Sequence, residues 1–246
     1  MKDMPHSPTG TTGIQKAFGI QIRKVFRHNL SKIYAYLGSK KTKKERVFAE
    51  AKLTIVGKSI IVSFLESIKF DLSPVVQSYI AGAWFKANRD SARIMNLGVW
   101  VPFDKRVIKS VQQESYKYLD KFVKERQEDL KNVLIKSIQQ GDTIKDVADK
   151  IKDAFNIISW KSELIARSEI IKTYANSTKM AIKNGGVTQE YRWLTSRKEN
   201  VCKLCKPLNG KIFNIYDKNA PLPVKDTHPN CNCGIVPHIR IGGNLL

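Results

Sequence analysis

The chain has 246 residues, with 43 Lys+Arg against 22 Asp+Glu, a formal charge of +21 and 42% hydrophobic residues. That apolar share is enough for a core and excludes wholesale disorder, and 14 Gly with 9 Pro lacking any period exclude a collagen-like chain. A charge excess of this size opposes compaction by self-repulsion and points to a polyanionic partner. Nucleic acid is the commonest, because each phosphate neutralised releases counterions; the expected partner is double-stranded DNA, held non-specifically.

The opening residues, MKDMPHSPTGTTG, hold no apolar run ahead of a cleavage site, so residence in a cytoplasm is expected. The most apolar stretch, residues 53–65, is broken by Lys58 and falls short of the roughly 20 residues that cross a bilayer, so no membrane partner is expected. A stripe of Ile14, Phe18, Ile22, Phe26, Leu30, Ile33 and Leu37 recurs at steps of three and four and predicts the first helix. The densest basic run follows it: Lys40, Lys41, Lys43, Lys44 and Arg46.

A second helix is predicted over residues 45–68. Ser73 as a cap with Pro74 at the first helical position predicts the start of a third, which runs to Leu97 and stops at Gly98. After an apolar link at residues 100–103, a long helix is predicted over 104–139, about 50 Å at 1.5 Å per residue. It carries Lys121, Lys124, Glu125, Arg126, Glu128 and Asp129 on its solvent side. Asp142 and Thr143 can cap a short helix to residue 155, and another is predicted over 160–183, stopped by Asn184-Gly185-Gly186. Three strand-like runs follow at 190–195, 211–216 and 234–239. Five of the nine prolines and all four cysteines fall in the last 45 residues. The expected fold is therefore mainly α: a long-helix N-terminal region over residues 1–158, then a small zinc-stabilised α+β module over 159–246.

The chemistry is concentrated in that module. Cys202-Lys203-Leu204-Cys205 puts two sulfurs on one tight turn, and His228-Pro229-Asn230-Cys231 repeats the spacing on a second. Two such knuckles can close a tetrahedral structural zinc site, as zinc ribbons do. Five candidate ligands compete for four places: Cys202, Cys205, His228 and Cys231 form the first choice, and Cys233 is the rival for a place in the second pair. His238 is the weakest candidate. A pair of disulfides is disfavoured by the cytoplasmic expectation, and a redox CxxC lacks its βαβ context. The segment 202–233 is too small to bury much surface, so a bound metal would supply on the order of 10 kcal/mol of its folding energy.

No catalytic residue is assigned. The donors suffice to fill a closed coordination sphere, whereas a hydrolytic zinc keeps an open position. Phosphate-loop, HExxH and nucleophile-elbow motifs are absent from the sequence. Arg167 and Glu169 read as packing or salt-bridge residues, and Trp193, Ile212 and Phe213 as the side chains that pack the module onto their helix. The expectation is a structural protein and not an enzyme. A zinc-dependent nuclease or toxin-like enzyme and a zinc-ribbon DNA-binding regulator are the alternatives.

With these residues in view, residues 164–238 resemble the phage Mu F-like head morphogenesis domain of minor capsid proteins in tailed phages. The resemblance is carried by ARSEI (166–170), Asn176, YRWLT (191–195), VCKLCKPLNGKIF (201–213), HPNCNC (228–233) and Pro237. It departs from the family pattern at Ser168, where threonine is usual. It also lacks an aspartate ahead of the first cysteine, where residues 196–200 read SRKEN, and has Asn232 where arginine is common. The resemblance implies a low-copy virion component in the head interior near the portal, assembled in the host cytoplasm. Its implied partners are the portal protein, capsid or scaffold proteins, and DNA, packaged or ejected. Some relatives carry a toxin domain after this one, and none is expected in a chain read to Leu246.

Overall fold

The computed structural model describes residues 8–38, 56–97, 144–196 and 201–240, with scattered positions between 121 and 140. The basic run at residues 40–46, the apolar link at 100–103 and most of the helix predicted over 104–139 lie outside them. Positions 121, 124, 125, 128, 129, 132, 133, 136 and 137 of that last segment are helical, and Lys121, Lys124, Glu125, Glu128 and Asp129 are exposed as expected.

Three helices are described: α1 (Thr12–Gly38), α2 (Val56–Ile94) and α3 (Ile144–Gly185). The apolar stripe of α1 is buried at Phe18, Ile22 and Phe26; the side chains of Leu30, Ile33 and Leu37 lie outside those described. The helices expected over 45–68 and from Pro74 are one helix, because α2 runs straight through Pro74. Proline removes only one N–H, and its ring here is exposed; burial of Ile68, Leu72, Val76 and Ile80 on one face carries the helix across the fault. The two helices expected over 142–155 and 160–183 are likewise one, α3, so the boundary expected at residue 158 falls inside a helix.

The end of α2 shows a stop signal that the sequence reading placed at Gly98. Asn96 takes φ 52°, the Leu97 N–H reaches the Ala92 carbonyl at 3.0 Å and the Asn96 N–H reaches that of Arg93 at 3.3 Å. This is a Schellman closure with asparagine at the left-handed position. α3 ends where Asn184-Gly185-Gly186 predicted, with Gly186 at φ 66° and its N–H on the Ile182 carbonyl.

Three strands follow: β1 (Glu190–Leu194), β2 (Ile212–Asn214) and β3 (Gly234–Pro237), with a 3-10 turn at Lys206–Leu208. β1 is central, and both neighbours run antiparallel to it in the order β2-β1-β3. Tyr191 pairs with Phe213 and Pro237, and Trp193 pairs with Ile235. Alternation along β1 sends Tyr191 and Trp193 inward and leaves Arg192 exposed.

The chain divides into two compact units. One comprises Met1–Gly19, Gln77–Gln113 and Leu164–Leu246, and the other Ile20–Val76 and Glu114–Glu163. Within the second, the buried amide of Asn29 is fully satisfied: it donates to the Val25 carbonyl and to Asp71, and accepts from Ser67 Oγ at 2.7 Å. Within the first, Met95 at the end of α2 and Ala175, Ala181 and Ile182 of α3 form one core with Tyr191, Trp193, Ile215, Leu222 and Ile235. Trp193 and Phe213 pack there as expected. Ile212 does not: it is 45% exposed, because the pleat that turns Phe213 inward turns its neighbour out. Among the described residues no helix is long and apolar enough to cross a membrane.

Candidate metal centre

All four cysteines are free, and three of them, Cys205, Cys231 and Cys233, are buried in the same core as Trp193. The first knuckle builds itself. The carbonyl of Cys202 accepts the N–H of Cys205 at 3.1 Å and of Lys206 at 3.0 Å, and Cys202 Sγ accepts the Cys205 N–H at 3.2 Å. The turn thereby folds Cys205 inward and leaves Lys203 and Leu204 exposed.

The second knuckle comes from the turn ahead of β3. His228 Nδ1–H donates to the Pro229 carbonyl at 2.7 Å, a tautomer that leaves the Nε2 lone pair free to bind. That Nε2 lies 3.0 Å from Cys202 Sγ and 3.6 Å from Cys205 Sγ, and Cys205 Sγ lies 3.7 Å from Cys231 Sγ. Two sulfurs bound to one tetrahedral zinc at 2.3 Å stand about 3.8 Å apart, and a sulfur and an imidazole nitrogen about 3.6 Å. The spacings around Cys205 match those edges. The donor atoms fall into two groups, Cys202 with Cys205 and His228, and Cys205 with Cys231 and Cys233, each within 4.8 Å. Cys205 is common to both. Soft thiolate and imidazole donors at these spacings can hold a metal ion.

The electrostatics divide the four thiols, two towards the thiolate and two towards the neutral form. The Cys233 thiol, donating to Cys231, pulls Cys231 down to about 5 against the effect of burial, and Cys233 is pushed up in exchange. Burial pushes Cys205 up to about 12. Burial is the largest single influence on Cys202 and opposes its ionisation, but the N–H groups of Cys205 and Leu204 with the Cys205 and His228 side chains together outweigh it and hold the thiol below its ordinary value. For His228, burial works against the charged ring, and the Pro229 carbonyl with Cys202 reverses the balance and raises it.

All five residues predicted as ligands are thus brought together, and His238 is not among them. Its ring contacts Arg192 Nη2 at 3.1 Å, and its N–H bonds the Glu190 carbonyl at 2.9 Å. Asp226 accepts the Leu222 N–H at 2.9 Å and shapes a turn. The sequence reading gave Asn230 no role. It sits between His228 and Cys231 at φ 66° and meets α3 twice: its N–H reaches Ser168 Oγ at 2.9 Å, and its side-chain oxygen accepts from Arg167. Glu169 is buried and paired with Lys172 at 3.2 Å, the salt-bridge role expected for it.

Residues 128–236, which contain ARSEI, all but the last residue of the three-stranded sheet, and both knuckles, match the family described as phage Mu protein F like protein. A protein of Haemophilus influenzae whose function is uncharacterised is 28% identical over 136 residues, 54% of this chain and 27% of that protein. The chain therefore spans under a third of the length of this curated relative. No solved structure matches.

Proposed function

We propose that this protein is a minor head component of a tailed phage or prophage that acts in head morphogenesis at the portal vertex. The Mu F-like match over residues 128–236 carries this reading. The charge of +21 supports a non-specific contact with DNA, because an internal head protein faces phosphates at high density and needs no base reading to hold them. Portal, capsid or scaffold proteins are the other partners of this role, and the virion is its location.

The part that docks is the C-terminal module, and its role is structural. Zinc is the metal that suits a buried Cys/His donor set. Cys202, Cys205, His228 and Cys231 would hold it, with Cys233 the alternative to one of the second pair. Bound zinc would cross-link the two knuckles on either side of β2 and so make the module rigid enough to dock.

The test is the composition of heads purified from a lysate of the encoding strain. Mass spectrometry should find the chain in mature or procapsid heads at far lower copy than the major shell protein. A chain confined to the soluble fraction, with heads that assemble normally in a deletion strain, would contradict the role.

A further inference from the structure

The two knuckles are held in different ways. The first is tied by its own backbone, through the bonds of Cys205 and Lys206 to Cys202. The second has a left-handed residue at its centre, Asn230 at φ 66°. A non-glycine residue in that region costs free energy and persists where its surroundings over-determine it. Here α3 supplies the constraint. Ser168 is buried, and its hydroxyl donates to the Leu164 carbonyl at 2.8 Å, which fixes the rotor and aims its oxygen at the Asn230 N–H, 2.9 Å away. One turn face along, Arg167 Nη1 donates to the Asn230 side-chain oxygen. Two bonds from consecutive helical residues therefore grip the backbone and the side chain of one turn residue 62 and 63 positions away.

We infer that Ser168, assisted by Arg167, is a positioning residue for the metal centre: it clamps the Asn230 turn so that His228 and Cys231 present their donors beside Cys205. The inference rests on the metal reading proposed above. It gives the ARSEI segment a task that needs neither catalysis nor solvent exposure. It also couples metal affinity to the seating of the knuckle on α3, since the same two bonds serve both.

The experiment uses the full chain and zinc(II) alone, with affinity measured by competition against a chromophoric chelator and the ligand field read by cobalt(II) absorption. Ser168→Ala should weaken zinc binding by roughly tenfold or more, the usual effect of losing an outer-shell partner. Ser168→Thr keeps the hydroxyl and should restore native affinity and the native cobalt spectrum. Asn230→Gly removes only the acceptor used by Arg167 and suits the positive φ, so it should fold normally and bind zinc more weakly than the unaltered protein. Native zinc affinity in folded Ser168→Ala would overturn the inference. If that variant does not fold, native affinity in folded Ser168→Gly, which also lacks the hydroxyl, would do so, and native affinity in Asn230→Gly would overturn the part given to Arg167. Failure of the unaltered protein to take up zinc would overturn the site itself, a result distinguishable from either.

Discussion

The methyl group of Thr9 occupies the space where a side chain on Gly234 would begin: a Cβ placed on Gly234 would lie 2.7 Å from Thr9 Cγ2. Residues near the start of the described chain are thereby seated on β3. Thr9 is held there by its hydroxyl, 2.7 Å from that of Thr11, which in turn accepts from Gln15 at 2.8 Å. All three side chains are buried. Gly234→Ala should therefore cost about 1–3 kcal/mol by overpacking. Thr9→Ser removes the obstructing methyl and keeps the hydroxyl bond, so the double variant should recover part of the loss in a denaturation cycle. Additive losses would show that the two residues do not touch in solution.

Among the described residues, Trp193 is the largest fully buried side chain, and none of them supplies its indole N–H with a hydrogen-bond acceptor. Its contribution is packing alone. Trp193→Ala should destabilise the module by about 3–5 kcal/mol, whereas Trp193→Phe, which strands no polar group, should cost clearly less. Chemical denaturation followed by circular dichroism measures both.

Two tyrosines set an alkaline limit. Burial, with the neighbouring Asp90 carboxylate that accepts its hydroxyl at 2.9 Å, raises Tyr174 well above the ordinary tyrosine value. Burial, with Asp226 and Asp217, raises Tyr191, whose hydroxyl donates to the Pro221 carbonyl at 2.7 Å. A folded-state value above the unfolded one means that the stabilisation is complete below about pH 10 and is lost as pH rises beyond it. Each tyrosine should contribute a slope of about 1.4 kcal/mol per pH unit on that limb. Tyr174→Phe should flatten the fall in stability between about pH 10 and 11 relative to the unaltered protein. An unchanged slope would contradict the burial argument.

Pro74 should be a net cost inside α2. It deprives the carbonyl of residue 70 of a helical donor, and its ring faces solvent. Pro74→Ala should raise stability by about 1–3 kcal/mol, the lost bond and ring clash outweighing the added freedom of the unfolded chain. A lower midpoint in urea would contradict that cost.

DNA binding, if it follows from charge, should be sequence-blind and steep in salt. Fluorescence anisotropy with two duplexes of unrelated sequence should give equal affinities, falling by about 10³ or more between 50 and 200 mM salt. A marked preference for one duplex, or no binding at low salt, would contradict that contact.

How much of this was legible in the sequence depended on how local the cause was. The stop at Gly185-Gly186, the three strands and the knuckles were readable because glycine, period-two alternation and CxxC spacing act within a few residues. The unbroken course of α2 was not. Proline at 74 after serine reads locally as a helix start, and only the buried face of Ile68, Leu72, Val76 and Ile80, a tertiary effect, overrides it. Asn96 was missed as a helix stop because the adjacent Gly98 gave the stronger signal. The Ser168–Asn230 bond could not be found from spacing at all, since its partners are 62 residues apart. The one cue in the sequence was an asparagine, the residue after glycine that best tolerates positive φ, set between two candidate ligands.

The proposed metal clasp would take its four ligands from Cys202, Cys205, His228, Cys231 and Cys233 and make the C-terminal module a docking piece. Elemental analysis of the full-length protein, purified under reducing conditions without chelator, tests it directly. The account predicts about one equivalent of zinc per chain, lost in Cys205→Ser, the thiol common to both donor groups. Less than about half an equivalent in the unaltered protein, or full retention in the Cys205 variant, would contradict it.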